Sequence, residues 1–280
     1  MSIEVRESVR GEMIADCLVL AFGANVDLGV EGVLDAITEV LTYAADPLVK
    51  ISIEDSKGKK RTYAVDEAKL ILRERHGFRF FRAIPRSEVG NLAAAWLTAV
   101  LAYCYSQNAK TLFLGVPKLH ESETLRSHVK LVEALVARAI VPQYGFGFER
   151  EYGLGPEYFA SGVVSNATSK EVKQTDWSRI TAWGDERAGS PEAHPRRHRY
   201  TRGMILDVFP MNVLTDIHLR QLVFEVSLMD WIVQRTGRQS LVEISEKCYL
   251  WNVQIEDCAP ISTVLRDAGL IIANPVTRTR

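Results

Sequence analysis

A ten-residue run in the second half of the chain combines the side chains best suited to binding phosphate. His194-Pro195-Arg196-Arg197-His198-Arg199-Tyr200-Thr201-Arg202-Gly203 contains four arginines and no carboxylate. A guanidinium group donates paired hydrogen bonds to a phosphate, and a tyrosine ring can stack on a base. The residues that we predict to bind nucleic acid or phosphate are Arg196, Arg197, His198, Arg199, Tyr200 and Arg202. The alternative is a solvated loop end whose arginines pair with Glu186, Glu192 or more distant carboxylates.

The net charge indicates that a polyanion could bind only through a local part of the surface. The 280 residues carry 34 basic and 35 acidic side chains, so the formal net charge is −1. No global field draws such a molecule to DNA or to anionic lipid, and any polyanion must bind through a local surface. Arginines with aromatic residues nearby favour RNA or single-stranded nucleic acid over duplex DNA.

Aromatic residues precede the arginine-rich run, and Phe146, Phe148 and Tyr152 are the candidates for stacking on bases. The segments Leu112-Phe113-Leu114-Gly115-Val116 and Gly145-Phe146-Gly147-Phe148 resemble the first-strand and third-strand signatures of the RNA recognition motif family. The resemblance implies that the phenylalanines of both segments are exposed on a sheet. The alternative, which we favour, is a buried strand followed by a glycine-rich loop.

A second candidate site follows the predicted strand 111–116, where a helix begins near Glu121. In α/β proteins, ligands commonly bind where a strand ends, and a helix N-terminus favours an anion. Lys118 and His120 therefore predict an alternative function, an enzyme that acts on a phosphorylated small molecule. The simpler interpretation is that both residues only begin a helix, with His128 and Lys130 on its solvated face.

The sequence predicts no metal site and identifies no cofactor. Asp207 and Asn212 could hold Mg²⁺, but a regular strand would place these side chains on opposite faces. The cysteines have no metal-ligand spacing; they are Cys17, Cys104, Cys248 and Cys258. Their scatter, with no leader and no apolar stretch of about 18 residues, predicts a cytoplasmic (intracellular) protein with no membrane partner.

Hydrophobic periodicity predicts an α+β fold with mixed sheets. The first elements have the order β-α-β-β-α-β of a ferredoxin-like unit, with bounds 16–22, 30–41, 48–54, 60–65, 66–76 and 78–84. A long buried helix over 87–104, the strand 111–116 and a helix from Glu121 follow. Whether that helix continues to Ile140 or gives way to a strand at 135–141 is left open.

The C-terminal elements repeat the β-α-β-β-α-β order, with predicted bounds 204–214, 215–232, 241–245, 248–253, 257–268 and 270–273. We therefore expect two ferredoxin-like units joined by a helical segment and a loop region rich in glycine and aromatic residues. The expected boundaries are a larger α/β unit at 1–150, a partly disordered connector at 151–203 and a small unit at 204–280. A third functional hypothesis is a non-catalytic subunit that assembles with itself or another protein.

The arginine-rich run yields a test by salt titration. Replacing Arg196, Arg197 and Arg199 by alanine removes three phosphate contacts, so binding to a labelled single-stranded oligonucleotide at low salt should weaken and lose part of its salt dependence. Fluorescence anisotropy measures both. Affinity that does not change in the triple variant, or no binding by the wild type at low salt, would contradict this assignment.

Overall fold

The computed structural model describes residues 14–22, 30–43, 48–55, 57–74, 78–85, 100–106, 109–117, 121–151 and 203–271. Within these ranges the chain forms six α-helices and twelve strands, which confirms the α+β class. The described residues divide into two compact units, one containing 14–142 and 149–151 and the other 143–148 and 203–271. No helix in the described part is long and apolar enough to cross a membrane.

The first unit is built on an antiparallel sheet. Its elements are β1 Ile14–Phe22, α1 Val30–Tyr43, β2 Leu48–Asp55, β3 Lys60–Ala64, α2 Val65–Glu74, β4 Phe78–Pro85, β5 Val100–Ser106, β6 Ala109–Pro117 and α3 Glu121–Val136. The strand order is β1-β6-β5-β4-β2-β3, and each pairing is antiparallel. In a ferredoxin-like βαββαβ unit the βαβ crossovers are split, so that the first strand lies between the third and the fourth. Here β1 pairs with β6, and β2 lies between β4 and β3, so that finer expectation is not confirmed.

Helix α1 packs against both α2 and α3, and its buried side chains form much of the core of the first unit. The apolar positions recur at helical spacing, as the sequence predicted, and are Val33, Leu34, Ile37, Val40 and Leu41. Gly32 permits a close approach, because a Cβ atom there would lie 2.9 Å from Ile140 Cδ1. Ion pairs on the solvated side connect α1 to its neighbours, with Asp35 bound to Lys69 at 2.8 Å and Glu39 to Arg138 at 3.0 Å.

The long helix expected at 87–104 is wrong for residues 100–104, the part of it that the structure describes. Residues Val100–Ser106 form β5, which pairs with β4 on one side and with β6 on the other. Apolar residues over a wide arc are typical of a buried helix, but a short run with β-branched and aromatic residues fits a central strand equally well. Hydrogen bonding to two neighbouring strands decides between the two. The rest of that predicted helix lies outside the described residues.

In the second unit, strands pair antiparallel in the order β7-β8-β12-β11, and two further strands form a separate hairpin. Its elements are β7 Tyr144–Glu151, β8 Met211–Leu214, α4 Asp216–Leu219, β9 Leu222–Val223, β10 Val226–Ser227, α5 Leu228–Thr236, β11 Leu241–Ser245, β12 Cys248–Asn252 and α6 Ile255–Asp267. The predicted strands 241–245 and 248–253 and the helix 257–268 are confirmed. Residues 144–151, expected within an irregular region, form a strand instead.

Two further expectations for this unit are corrected. The helix expected at 215–232 is interrupted, because Val223 and Val226 pair across a hairpin and Ser227 then caps a new helix by accepting the Asp230 N–H at 3.1 Å. The strand expected at 204–214 is confined to Met211–Leu214, and of the strand expected at 270–273 only an isolated parallel bridge from Ile205 to Ile271 is described.

Helix α3 ends at Val136, which answers the question that the sequence left open. The N–H of Ala139 donates to the Val136 carbonyl, and the N–H of Ile140 donates to the Leu135 carbonyl, both at 2.9 Å. These two bonds form a Schellman motif, whose penultimate residue is usually glycine because it has positive φ. Here Ala139 has that conformation, with φ of 59°.

Replacing Ala139 by glycine should stabilise the first unit. Removing the Cβ from a left-handed residue relieves about 1–2 kcal/mol, and part of this gain is offset by the greater freedom of glycine in the unfolded chain. We expect a net gain of about 0.5–1 kcal/mol, measured by urea unfolding. Ala137→Gly is the matched control, since exposed Ala137 has no positive φ, and it should be neutral or destabilising. Equal effects of both substitutions would contradict this account of the helix end.

Candidate functional site

The tip of the β2–β3 hairpin is folded by one aspartate. Asp55 Oδ1 accepts hydrogen bonds from the backbone N–H groups of Lys57, at 2.9 Å, and Lys59, at 3.0 Å. Gly58 has φ of 79° and donates its N–H to the Asp55 carbonyl. The Lys59 N–H lowers the pKa of the Asp55 carboxyl most, and the Lys57 N–H and charge lower it further. Asp55 is therefore ionised and fixes the backbone of the turn.

Four exposed cations surround this turn, and they are Lys57, Lys59, Lys60 and Arg61. Lys60 Nζ lies 3.5 Å from Glu54 Oε2. Among the described residues, no carboxylate lies within ion-pair distance of the other three cationic groups. The hairpin therefore presents a local excess of positive charge in a chain whose net charge is close to zero.

Two of these cations, Lys60 and Arg61, lie on strand β3. Lys60 lies opposite Glu54 and Arg61 lies opposite Ile53, so the two cationic side chains point to opposite faces. β2 is the only strand that pairs with β3 in the described part of the chain. The hairpin consequently carries one exposed cation of β3 on each of its faces.

The phenylalanines expected to stack on bases are buried. Phe146 is 0% exposed, Phe148 6% and Phe113 4%. The Phe146 ring stacks on Phe209 at 4.4 Å between centroids and on Phe148 at 5.8 Å. This corrects the expectation drawn from the RNA recognition motif resemblance, because base stacking requires an exposed ring face. The strand β7 instead directs its aromatic rings into the core of the second unit.

The remaining predicted site residues fall outside the described ranges or serve the fold. Lys118, His120 and Tyr152 lie outside the described residues, as do Arg196, Arg197, His198, Arg199, Tyr200 and Arg202. Asn212 is buried and exchanges hydrogen bonds with the Phe209 backbone, while Asp207 accepts from the Val208 N–H and from Ser262 Oγ. In the described part of the chain, no three His, Cys, Asp or Glu side chains cluster as a metal site.

Two histidines in the described ranges are buried, which the sequence interpretation missed. His128, expected on a solvated face, is 2% exposed, with Nδ1 3.7 Å from Asp16 Oδ1. His218 Nδ1 accepts the Thr215 N–H at 3.1 Å and lies 2.9 Å from Thr215 Oγ1. Burial lowers the pKa of each histidine from 6.5 to about 4. Both are neutral at pH 7, and His218 closes the first turn of α4.

Comparison with known proteins gives a fold but no family. No protein-family model matches the sequence, and no curated protein matches it. A T6SS protein of Pseudomonas aeruginosa has a similar structure, with a TM-score of 0.51 and 12% sequence identity. The match covers 94% of this chain and 74% of that chain. At this identity the likeness shows the fold alone.

The buried histidines predict acid sensitivity. Between pH 6.5 and 4 the unfolded chain binds protons that folded His128 and His218 exclude, so stability is complete above about pH 6.5 and falls as the pH is lowered. For each histidine the loss from pH 7 to pH 4 is about 2–3 kcal/mol. His218→Asn retains an acceptor for the Thr215 N–H but does not titrate. Urea unfolding from pH 4 to 7 should show a weaker pH dependence in this variant and in His128→Gln; unchanged slopes in both would contradict the assignment.

Proposed function

We propose that the protein binds a polyanion, RNA or another single-stranded nucleic acid, and that the β2–β3 hairpin forms part of the binding surface. One observation carries the proposal. Lys57, Lys59 and Arg61 are exposed cations without a carboxylate partner in the described part of the chain, displayed on a turn whose backbone Asp55 fixes. In the proposal, the arginine-rich run at 194–202 supplies a second set of phosphate contacts.

The hairpin would bind the sugar-phosphate backbone and not the bases. Lysine ammonium groups act as compact charges that replace the counterions of a phosphate chain, and such contacts carry no sequence information. The buried Phe113, Phe146 and Phe148 cannot add base stacking. We therefore expect affinity that varies little with base sequence and decreases steeply as salt is added.

The fixed turn supports this function energetically. A loop that orders only on binding loses conformational entropy at that moment, which reduces affinity. The two backbone N–H groups bound to Asp55 Oδ1 hold Lys57 and Lys59 at defined positions before any ligand arrives. Only the side chains then need to be ordered, and flexible lysines adapt to different phosphate spacings.

We also propose an intracellular location for this activity. Cys248 and Cys258 are free thiols, and Cys248 is buried. Free cysteines of this kind are usual where thiols are kept reduced. When the protein is isolated from cells and denatured at once in the presence of a thiol reagent, the reagent should label these cysteines. Their recovery as disulfides would contradict the proposal.

Neutralising the hairpin should reduce both affinity and salt dependence. For the variant with Lys57, Lys59 and Arg61 replaced by alanine, the slope of log K against log salt should fall by about 2, since each phosphate contact on a single strand contributes about 0.7. Anisotropy of a labelled mixed-sequence oligonucleotide, titrated with NaCl, measures this slope. Affinity at low salt should fall by at least about tenfold.

The matched control removes three exposed cations from the second unit, Arg235, Arg238 and Lys247. It changes the net charge equally and should retain the wild-type slope within about 0.5. If both triple variants behave alike, only net charge matters and the hairpin is not the binding surface. If the wild type itself binds no oligonucleotide at low salt, the proposed function is wrong.

A further inference from the structure

The β9–β10 hairpin of the second unit exposes two large apolar side chains. Leu222 pairs with Ser227 and Val223 with Val226, which leaves Phe224 and Glu225 as a two-residue loop. Leu222 is 59% exposed and Phe224 63%, whereas Val223 between them is 1% exposed. The buried valine attaches the hairpin to its own unit while its neighbours project from it.

Phe224 has a backbone conformation that an aromatic residue rarely adopts. Its φ is 56°, and the first position of a two-residue hairpin loop with positive φ is usually occupied by glycine, asparagine or aspartate. A bulky side chain with this φ is a steric outlier. Burial of the ring does not compensate here, since most of it is exposed. Folding therefore offers no reason for phenylalanine at this position.

The surroundings of the tip are acidic. Helix α5 begins one residue after β10, and the Leu228 N–H donates to the Gln221 carbonyl at 2.7 Å, which ties the helix start to the hairpin. Met229 follows and is 43% exposed. Glu225 and Asp230 are exposed on either side in sequence, while the nearby Arg220 is paired with Asp216 at 3.3 Å. Apolar side chains are thus flanked by carboxylates.

We propose that Leu222, Phe224 and Met229 form the contact surface for a protein partner that has an apolar pocket with lysine or arginine residues at its rim. A single protruding aromatic ring is a typical interface anchor. The carboxylates of Glu225 and Asp230 complement a basic rim, and they disfavour an anionic membrane or a nucleic acid at the same surface. The short hairpin fixes the backbone of Phe224 before binding, which reduces the entropy lost on association.

The first experiment identifies the partner in the cell that makes the protein. Benzoylphenylalanine is introduced in place of Phe224 in the full-length chain, and irradiation links it to whatever occupies the tip. The same photoreactive residue in place of Ile255, which is 68% exposed in the same unit, is the matched control. We expect one protein linked from position 224 and not from 255, with the linked peptide adjacent to lysine or arginine. No adduct, the same adducts from both positions, or an adduct only with lipid, nucleic acid or a second copy of this chain would overturn the proposal.

The second experiment measures affinity with the purified partner by calorimetry. Phe224→Asn should weaken binding by at least about 30-fold, because it removes the anchor. Asparagine tolerates positive φ, so the melting temperature should stay the same or rise. Reversing both charges with Glu225→Lys and Asp230→Lys should slow association by about tenfold or more at low salt. Ile255→Ser should bind as the wild type does. Unchanged affinity of Phe224→Asn, or a loss matched by Ile255→Ser, would overturn the proposal.

Discussion

Antiparallel hydrogen bonding between strands is the constraint on which both units depend. Antiparallel neighbours can be joined by turns of a few residues, whereas parallel strands require long crossovers. Such short turns lie at the surface, and their side chains face solvent. The β2–β3 turn presents lysines and an arginine, and the β9–β10 turn presents a phenylalanine. In each case the side chains at the tip are exposed.

Where the second unit has no regular strands, side chains provide hydrogen bonds to its backbone. Between Gly203 and Pro210 the chain has almost no ladder hydrogen bonds, and buried polar groups replace them. The Tyr144 hydroxyl accepts from the Leu206 N–H and donates to the Asp207 carbonyl, while Asp207 accepts from Ser262 Oγ on α6. These contacts connect β7, an irregular segment and α6. Removing one buried partner would therefore leave other buried polar groups without a hydrogen bond.

Much of the secondary structure follows from local patterns, and the errors have physical causes. Period-2 and period-3.6 patterns located β1, α1, β2, β3 and α6 within a few residues. At Val100–Ser106, neighbouring strands decide between two structures that the pattern permits equally. At 215–232, helical spacing extends across a hairpin by coincidence, although Ser227 followed by Asp230 is a recognisable start signal for a helix.

The candidate site was harder to predict than the fold. Lys57-Gly58-Lys59-Lys60-Arg61 is denser in lysine and arginine than the run at 194–202, but the sequence interpretation used this segment only to delimit the strands 48–54 and 60–65. Exposure could not be read from Phe146 and Phe148, since aromatic residues suit a binding surface and a core alike. Nothing in the residue types around Phe224 indicates positive φ. That property follows from the pairing of Val223 with Val226, which only the folded chain shows.

The cations of β3 also have a consequence for how the molecule behaves in concentrated solution. An edge strand offers unpaired N–H and C=O groups to any other extended chain, and charged side chains at such an edge discourage that pairing. Lys60 and Arg61 lie on β3, which is an edge strand among the strands that the structure describes. Arg61 is also one of the cations that we propose for polyanion binding, so its replacement should change self-association as well as the proposed affinity.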